Sequence, residues 1–132
     1  MSTKAKLYAP VEYWALTPEA KAEICNGCGA KEGLKVPNTI WGLSVIEACF
    51  IHDYMYFMGE TEEDRQEADT AFLNNMLRII EADSANFFLL KHLRRKRAVL
   101  YYSMVADFGG PAFWNEKNNP GEMQVPLEAL TA

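Results

Sequence analysis

The chain has 132 residues, a formal net charge of −5 and apolar side chains at 49% of its positions. This length and composition predict one globular domain, residues 1–132, with a core of its own. The acidic balance disfavours a nucleic-acid-binding protein, and every apolar run is too short for a membrane span.

The N-terminal part of the chain is expected to begin extended and to turn into a short helix. Residues 1–16 contain no apolar segment of the kind that a secretory signal peptide carries. We therefore expect a cytoplasmic or phage-associated protein rather than a classically secreted one. Thr17 supplies a capping hydroxyl and Pro18 suits the first helical position, which predicts a helix from there to about Cys25.

A long glycine-rich segment follows this helix. Residues 26–43 contain four glycines and are predicted to form a loop, and a loop of this length in a compact domain usually serves a function. Ser44 then predicts the start of a helix, with Glu47 completing a capping box. Gly59 predicts the end of that helix.

Two further long helices are predicted in the second half of the chain. One begins after Thr61 and runs to about Glu81, and the next begins after Ser84 and runs to about Asp107. Residues 111–132 are rich in Asn, Pro and Gly and are predicted to be irregular. No stretch shows the alternation of a strand, so the predicted class is all-α. The predicted architecture has two long antiparallel helices, the ones after Ser44 and after Thr61. It also has a third long helix, a short N-terminal helix and the glycine-containing loop.

The helix predicted after Ser44 has few polar residues, and these indicate where the functional site lies. Apart from tyrosine hydroxyls, only Glu47, His52 and Asp53 interrupt an otherwise apolar segment. A helix that is apolar nearly all round is buried. An uncompensated carboxylate at Asp53 would therefore be costly, which predicts a cation, a metal or hydrogen-bond donors beside it.

The short connection between the two helices predicts which residues face each other. His52 lies seven residues before Gly59, and Asp69 lies seven residues after Glu62, so both stand about 10 Å from the turn. A histidine held by a carboxylate is an oriented general base, and it needs no serine or cysteine nucleophile if water attacks. Tyr56 follows His52 by one helical turn. Asp53 with backbone oxygens of the glycine loop would suit calcium, which polarises ester carbonyls.

The three cysteines allow more than one interpretation. Cys25, Cys28 and Cys49 could supply one disulfide and a spare thiol, three reduced thiols, or metal ligands. With His52, they match a structural zinc site of three cysteines and one histidine. Asp69, like Asp53, would then have no role in a buried helical hairpin.

Three stretches resemble secreted phospholipase A2, most closely its bacterial and fungal branch. The similarity covers roughly residues 25–77. The stretches are the loop Asn26-Gly27-Cys28-Gly29, the active-site pattern Cys49-x-x-His52-Asp53-x-x-Tyr56, and the partner-helix pattern Asp69-x-x-Phe72-x-x-x-Met76.

The resemblance implies a calcium-dependent carboxylic ester hydrolase of lipid degradation that acts on phospholipid at a membrane surface. His52 would activate water for attack on the sn-2 ester, Asp69 would hold His52, and Tyr56 would support the pair. Asp53 and Asn26 would bind calcium together with backbone oxygens of residues 27–29. The family pattern also implies a disulfide between Cys28 and Cys49.

The chain departs from the family pattern in the calcium loop. The aspartate of the bacterial loop is Asn26 here, and the separation of Cys28 from Cys49 is longer than the family's. A phospholipase-like protein that is catalytically inactive and serves binding or assembly is therefore a second alternative beside the zinc module.

Overall fold

The computed structural model describes residues 5–25, 27, 36–83, 87–115 and 117. Helices make up 72% of these residues, so the largely helical class predicted from the sequence is confirmed. No helix in these ranges is both long and apolar enough to cross a membrane. In chain order the elements are α1 (Val11–Trp14), α2 (Pro18–Ile24), β1 (Thr39–Ile40), β2 (Leu43–Ser44), α3 (Ile46–Met58), α4 (Glu62–Asp83), α5 (Phe88–Phe108) and α6 (Gly110–Trp114).

The N-terminal segment is less extended than the sequence predicts. Helix α1 begins after Pro10, whose carbonyl accepts a hydrogen bond from the amide of Tyr13 at 2.9 Å. The Tyr13 side chain is buried and its hydroxyl donates to Glu47 Oε1 at 2.8 Å. Helix α2 begins where expected, because Thr17 Oγ1 accepts from the amide of Ala20 at 3.1 Å.

A small hairpin occupies the end of the segment predicted to be a loop. Strands β1 and β2 pair antiparallel, and Trp41 and Gly42 connect them with φ angles of 47° and 78°. Two residues with positive φ form the turn that matches the twist of a tight hairpin. The prediction of a continuous loop over residues 26–43 is therefore wrong at its C-terminal end.

The capping box predicted at the start of α3 is also wrong. Ser44 belongs to strand β2, and Val45 is the residue that precedes α3, without a side-chain cap. The Glu47 carboxylate points instead to α1 and α2, where it accepts from Tyr13 and from Lys21 Nζ at 3.2 Å. Among the described residues, the Ser44 hydroxyl accepts only from the nearby amide of Ile46 at 3.4 Å, and the tertiary partners of Glu47 outcompete the reciprocal half of the box.

The turn between α3 and α4 is well defined by hydrogen bonds. Thr61 Oγ1 accepts from the amide of Asp64 at 3.0 Å, and Asp64 Oδ2 accepts in return from the amides of Glu60 and Thr61 at 2.9 and 3.1 Å. These backbone donors lower the pKa of Asp64. Packing explains why position 59, where α3 ends, is a glycine. A Cβ there would lie 2.7 Å from Phe113 Cε1.

Two apolar clusters hold the elements together. One joins α3, α4 and α5 with the hairpin and contains Ile40, Phe72, Met76, Ile80 and Tyr101. The other joins α1, α3 and α6 and contains Tyr13, Ile51, Tyr56, Phe113 and Trp114. The prediction of an irregular tail from residue 111 is wrong at its start, where α6 forms. Phe113 and Trp114 are buried and stabilise this short helix.

Candidate active site

His52 on α3 and Asp69 on α4 meet inside the helical hairpin. His52 Nε2 lies 2.8 Å from Asp69 Oδ1, and both residues are buried, with 8% and 3% of their surface exposed. The connection from Gly59 to Thr61 makes the two helices antiparallel neighbours, which brings residues equidistant from the turn to the same level. The structure therefore places the two side chains together, as the spacing predicts.

Tyr56 joins this pair from one turn further along α3. Its hydroxyl donates to the same Asp69 Oδ1 at 2.6 Å, and its ring centroid lies 4.1 Å from that of His52. Burial, followed by the negative charge of Asp69, raises the pKa of Tyr56 above its ordinary value. The hydroxyl therefore stays protonated and serves as a hydrogen-bond donor to the carboxylate.

The hydrogen bond to Asp69 orients the imidazole of His52. A carboxylate accepts, so the neutral ring carries its proton on Nε2, and Nδ1 has the free lone pair. The ring is held between Tyr56 and Phe72, whose centroid lies 4.8 Å away. Within the described part of the chain, no side chain or backbone group is hydrogen-bonded to Nδ1.

His52 lines a cavity of about 50 Å³. The cavity wall contains the apolar residues Val36, Phe72 and Val105 together with Asp53 and Gly27. A space of this size, with a histidine and a carboxylate in its wall, can hold water molecules that hydrogen-bond to both groups. The arrangement can therefore support abstraction of a proton from water by a buried, oriented imidazole.

Asp53 stands at the edge of the cavity and is half-buried, whereas the sequence predicts full burial. Its Oδ2 accepts from the amide of Gly27 at 2.8 Å, whereas the sequence predicts that carbonyl oxygens face it. Gly27 has a φ of 95°, a conformation that glycine adopts without strain. The loop thus reaches the carboxylate through an N–H group at this position.

The remaining calcium ligands predicted from the sequence, Asn26, Cys28 and Gly29, lie outside the described residues. Within the described ranges, no three His, Cys, Asp or Glu side chains converge as a metal site. Asp53 is a hard oxygen donor at the cavity edge, and calcium prefers such a ligand with backbone carbonyls. Asp53 therefore fits one ligand of a calcium ion, and the loop would have to supply the others.

The cysteines differ in state. Cys49 is disulfide-bonded, whereas Cys25 is a buried free thiol that donates to the carbonyl of Phe50 at 3.3 Å. Burial raises the pKa of the Cys25 thiol to about 11. The other half of the implied disulfide, Cys28, lies outside the described residues.

Two residues that no sequence motif indicates also contact the site. The Arg65 guanidinium lies beside Tyr56, and it donates to the carbonyl of Ala106 at 2.8 Å. Gly109 lies so close that an added Cβ would be 2.6 Å from the Tyr56 hydroxyl. Gly109 merely follows the helix predicted to end at about Asp107, and Arg65 is one charge among several on α4.

Comparisons with protein families, with curated proteins and with solved structures gave no match to this chain.

Proposed function

We propose that this protein hydrolyses the sn-2 ester of glycerophospholipids, with His52 as the base that activates a water molecule. The observation that carries the proposal is the buried His52–Asp69 pair at 2.8 Å, whose imidazole lines a cavity large enough for water. The sequence patterns around both residues resemble those of phospholipases A2, and they support the choice of a phospholipid ester.

The chemistry begins with water in the cavity. His52 Nδ1 takes a proton as the water oxygen bonds to the carbonyl carbon of the ester. Asp69 stabilises the imidazolium through the Nε2–H hydrogen bond and does not take the proton itself. When the tetrahedral intermediate collapses, the ester C–O bond breaks and His52 returns the proton to the leaving alkoxide. The products are a fatty acid and a lysophospholipid.

Tyr56 and Asp53 have separate tasks in this proposal. Tyr56 holds the Asp69 carboxylate in the orientation that binds His52, because its hydroxyl donates to the same carboxylate oxygen. Asp53, with oxygens of the loop that includes Gly27, would hold calcium, and calcium when bound polarises an ester carbonyl and stabilises its oxyanion. The substrate would be reached at a membrane surface.

The two alternatives receive unequal support. A zinc module needs thiolates from Cys25 and Cys49, and it is disfavoured because Cys49 is in a disulfide. An inactive binding or assembly protein is favoured by one observation, the Gly27 amide that faces Asp53 where a cation would need oxygen atoms.

The test is fatty-acid release from vesicles of mixed phosphatidylcholine and phosphatidylglycerol, with calcium and with a chelator. We expect calcium-dependent release by the wild type and none above background by His52→Ala. His92→Ala is the matched control, because His92 is exposed on α5, and it should retain full activity. Circular dichroism establishes that both variants keep the helical fold.

Each other outcome points to a different conclusion. Full activity in folded His52→Ala would disprove the mechanism. Absence of release by the wild type at every calcium concentration would favour the binding or assembly protein. Stoichiometric zinc in the purified protein, together with loss of fold on chelation, would favour the zinc module.

A further inference from the structure

We propose that Arg65 is a positioning residue that holds the Tyr56 hydroxyl, and through it the Asp69–His52 pair, in a productive geometry. The catalytic consequence rests on the proposed function, whereas the geometric claim can be tested without activity. Arg65 lies on α4 one helical turn before Asp69, so both side chains emerge from the same face of the helix.

Arg65 binds the end of α5. One guanidinium nitrogen donates to the carbonyls of Val105 and Ala106 at 3.3 and 2.8 Å, and the other terminal nitrogen donates to Glu62 at 3.0 Å. The carbonyl of Val105 also accepts from the amide of Gly109 at 2.8 Å, whereas carbonyls closer to a helix end lack partners within the helix. A cation bound to these carbonyls fixes the position of the helix end. Arg65 thereby sets where the chain turns from α5 into α6.

This turn forms the wall behind the Tyr56 hydroxyl. An added Cβ on Gly109 would lie 2.4 Å from the carbonyl oxygen of Val105 and 2.6 Å from the Tyr56 hydroxyl. The same guanidinium that binds Val105 also lies beside that hydroxyl. The hydroxyl is therefore confined between Asp69, Arg65 and the turn at Gly109.

Stability alone is a poor reason for an arginine at this position. The Arg65 Nε is buried and has no hydrogen-bond partner within the described part of the chain. A buried unpaired donor is destabilising, so an apolar side chain of similar length would avoid that cost. A cation here does supply a partner for the Tyr56 hydroxyl, which in turn donates to the buried Asp69 carboxylate.

Arg78 provides a matched control on the same helix. Its guanidinium donates to a main-chain carbonyl of another segment, that of Lys6, at 2.9 Å. Among the described residues, Arg78 forms no hydrogen bond or ion pair with His52, Tyr56 or Asp69. Substitution of Arg78 thus removes the same type of side chain and a hydrogen bond to a main-chain carbonyl, at an exposed position away from Tyr56.

The experiment compares Arg65→Met, Arg65→Lys and Arg78→Met by nitrogen NMR of the histidine rings and by vesicle hydrolysis. In Arg65→Met we expect faster exchange of the His52 Nε2 proton with solvent, a mixed His52 tautomer, and a kcat about tenfold lower at unchanged KM. Arg65→Lys keeps the positive charge and should recover part of both signals. Arg78→Met should match the wild type in both.

The outcomes separate the two proposals. Wild-type proton exchange and tautomer in folded Arg65→Met, or in Arg65→Gln if the methionine variant does not fold, would overturn the positioning role. Equal changes in Arg65→Met and Arg78→Met would overturn it as well, because they would reflect general destabilisation. If the wild type hydrolyses no phospholipid, the NMR comparison still decides the role of Arg65.

Discussion

The two carboxylates of the candidate site, Asp69 and Asp53, lie in different surroundings. Asp69 is buried and receives hydrogen bonds from His52 and Tyr56, two side chains supplied by the neighbouring helix. Asp53 is half-buried at the cavity edge and is contacted by the glycine loop through Gly27. The first environment depends on how two adjacent helices pack, whereas the second depends on the conformation of a distant segment.

The difference suggests that the two carboxylates have different roles, one in orienting a base and the other in binding a cation. A carboxylate inside the hairpin can orient a base only if its donors are fixed, and fixed donors come from regular, packed elements. A carboxylate at the edge can accept a cation only if loop oxygens are free to surround it. The buried half of the site, His52, Tyr56 and Asp69, is thus formed by two packed helices, whereas the edge half, Asp53 and Gly27, depends on the glycine loop.

A matched pair of isosteric substitutions tests this division most strongly. Asp69→Asn should lower kcat by about 10³-fold or more at every calcium concentration, because the amide no longer stabilises the imidazolium. Asp53→Asn should instead abolish measurable calcium binding by calorimetry while the fold is retained. Asp83→Asn, at the exposed end of α4, is the control for the loss of one negative charge.

This pair also shows how the comparison could fail. Unchanged calcium affinity in Asp53→Asn would remove Asp53 from the ligand set. A loss of activity in Asp69→Asn that high calcium restores would mean that Asp69, too, acts through the metal.

A glycine substitution tests whether the buried half is as rigid as the packing indicates. Gly109→Ala should lower the free energy of unfolding by about 1–3 kcal/mol, because its Cβ would collide with the carbonyl of Val105 and displace the Tyr56 hydroxyl. Gly110→Ala is the matched control, since its Cβ would meet Arg65 only at 3.8 Å. Urea unfolding measures both, and equal stability of the two variants would contradict the tight packing at Gly109.

The smallest expected effect is the pH dependence of stability that comes from the buried thiol of Cys25. Burial raises the pKa of Cys25 from 9.0 to about 11 in the folded protein. The unfolded chain therefore loses this proton first. Below about pH 9 the contribution of the thiol to stability is complete, and it is lost as the pH rises towards 11.

Unfolding curves of the wild type and Cys25→Ser at several alkaline pH values measure this contribution. The wild type should lose more stability than Cys25→Ser between about pH 9 and pH 11. Parallel curves for the two proteins would show that the thiol ionises equally in both states. Tyrosines that also titrate in this range affect both proteins alike and cancel in the difference.

Much of the buried half could be predicted from the sequence because its geometry is local. Seven residues on either side of a short connection bring His52 and Asp69 to one level, whatever the rest of the fold does. Tyr56 follows from the helical repeat alone. Thr17 and Thr61 likewise begin helices by hydrogen bonds that span only three residues.

The tertiary structure decided what depends on contacts between distant segments. Glu47 could have capped α3, but it pairs with Tyr13 and Lys21 from elements that fold against it. Gly109 and Arg65 belong to the site because α5 ends beside Tyr56, and no periodicity within either helix encodes that meeting. Helical spacing fixes neighbours within one hairpin, whereas the approach of a third helix is determined by the packing of the whole core.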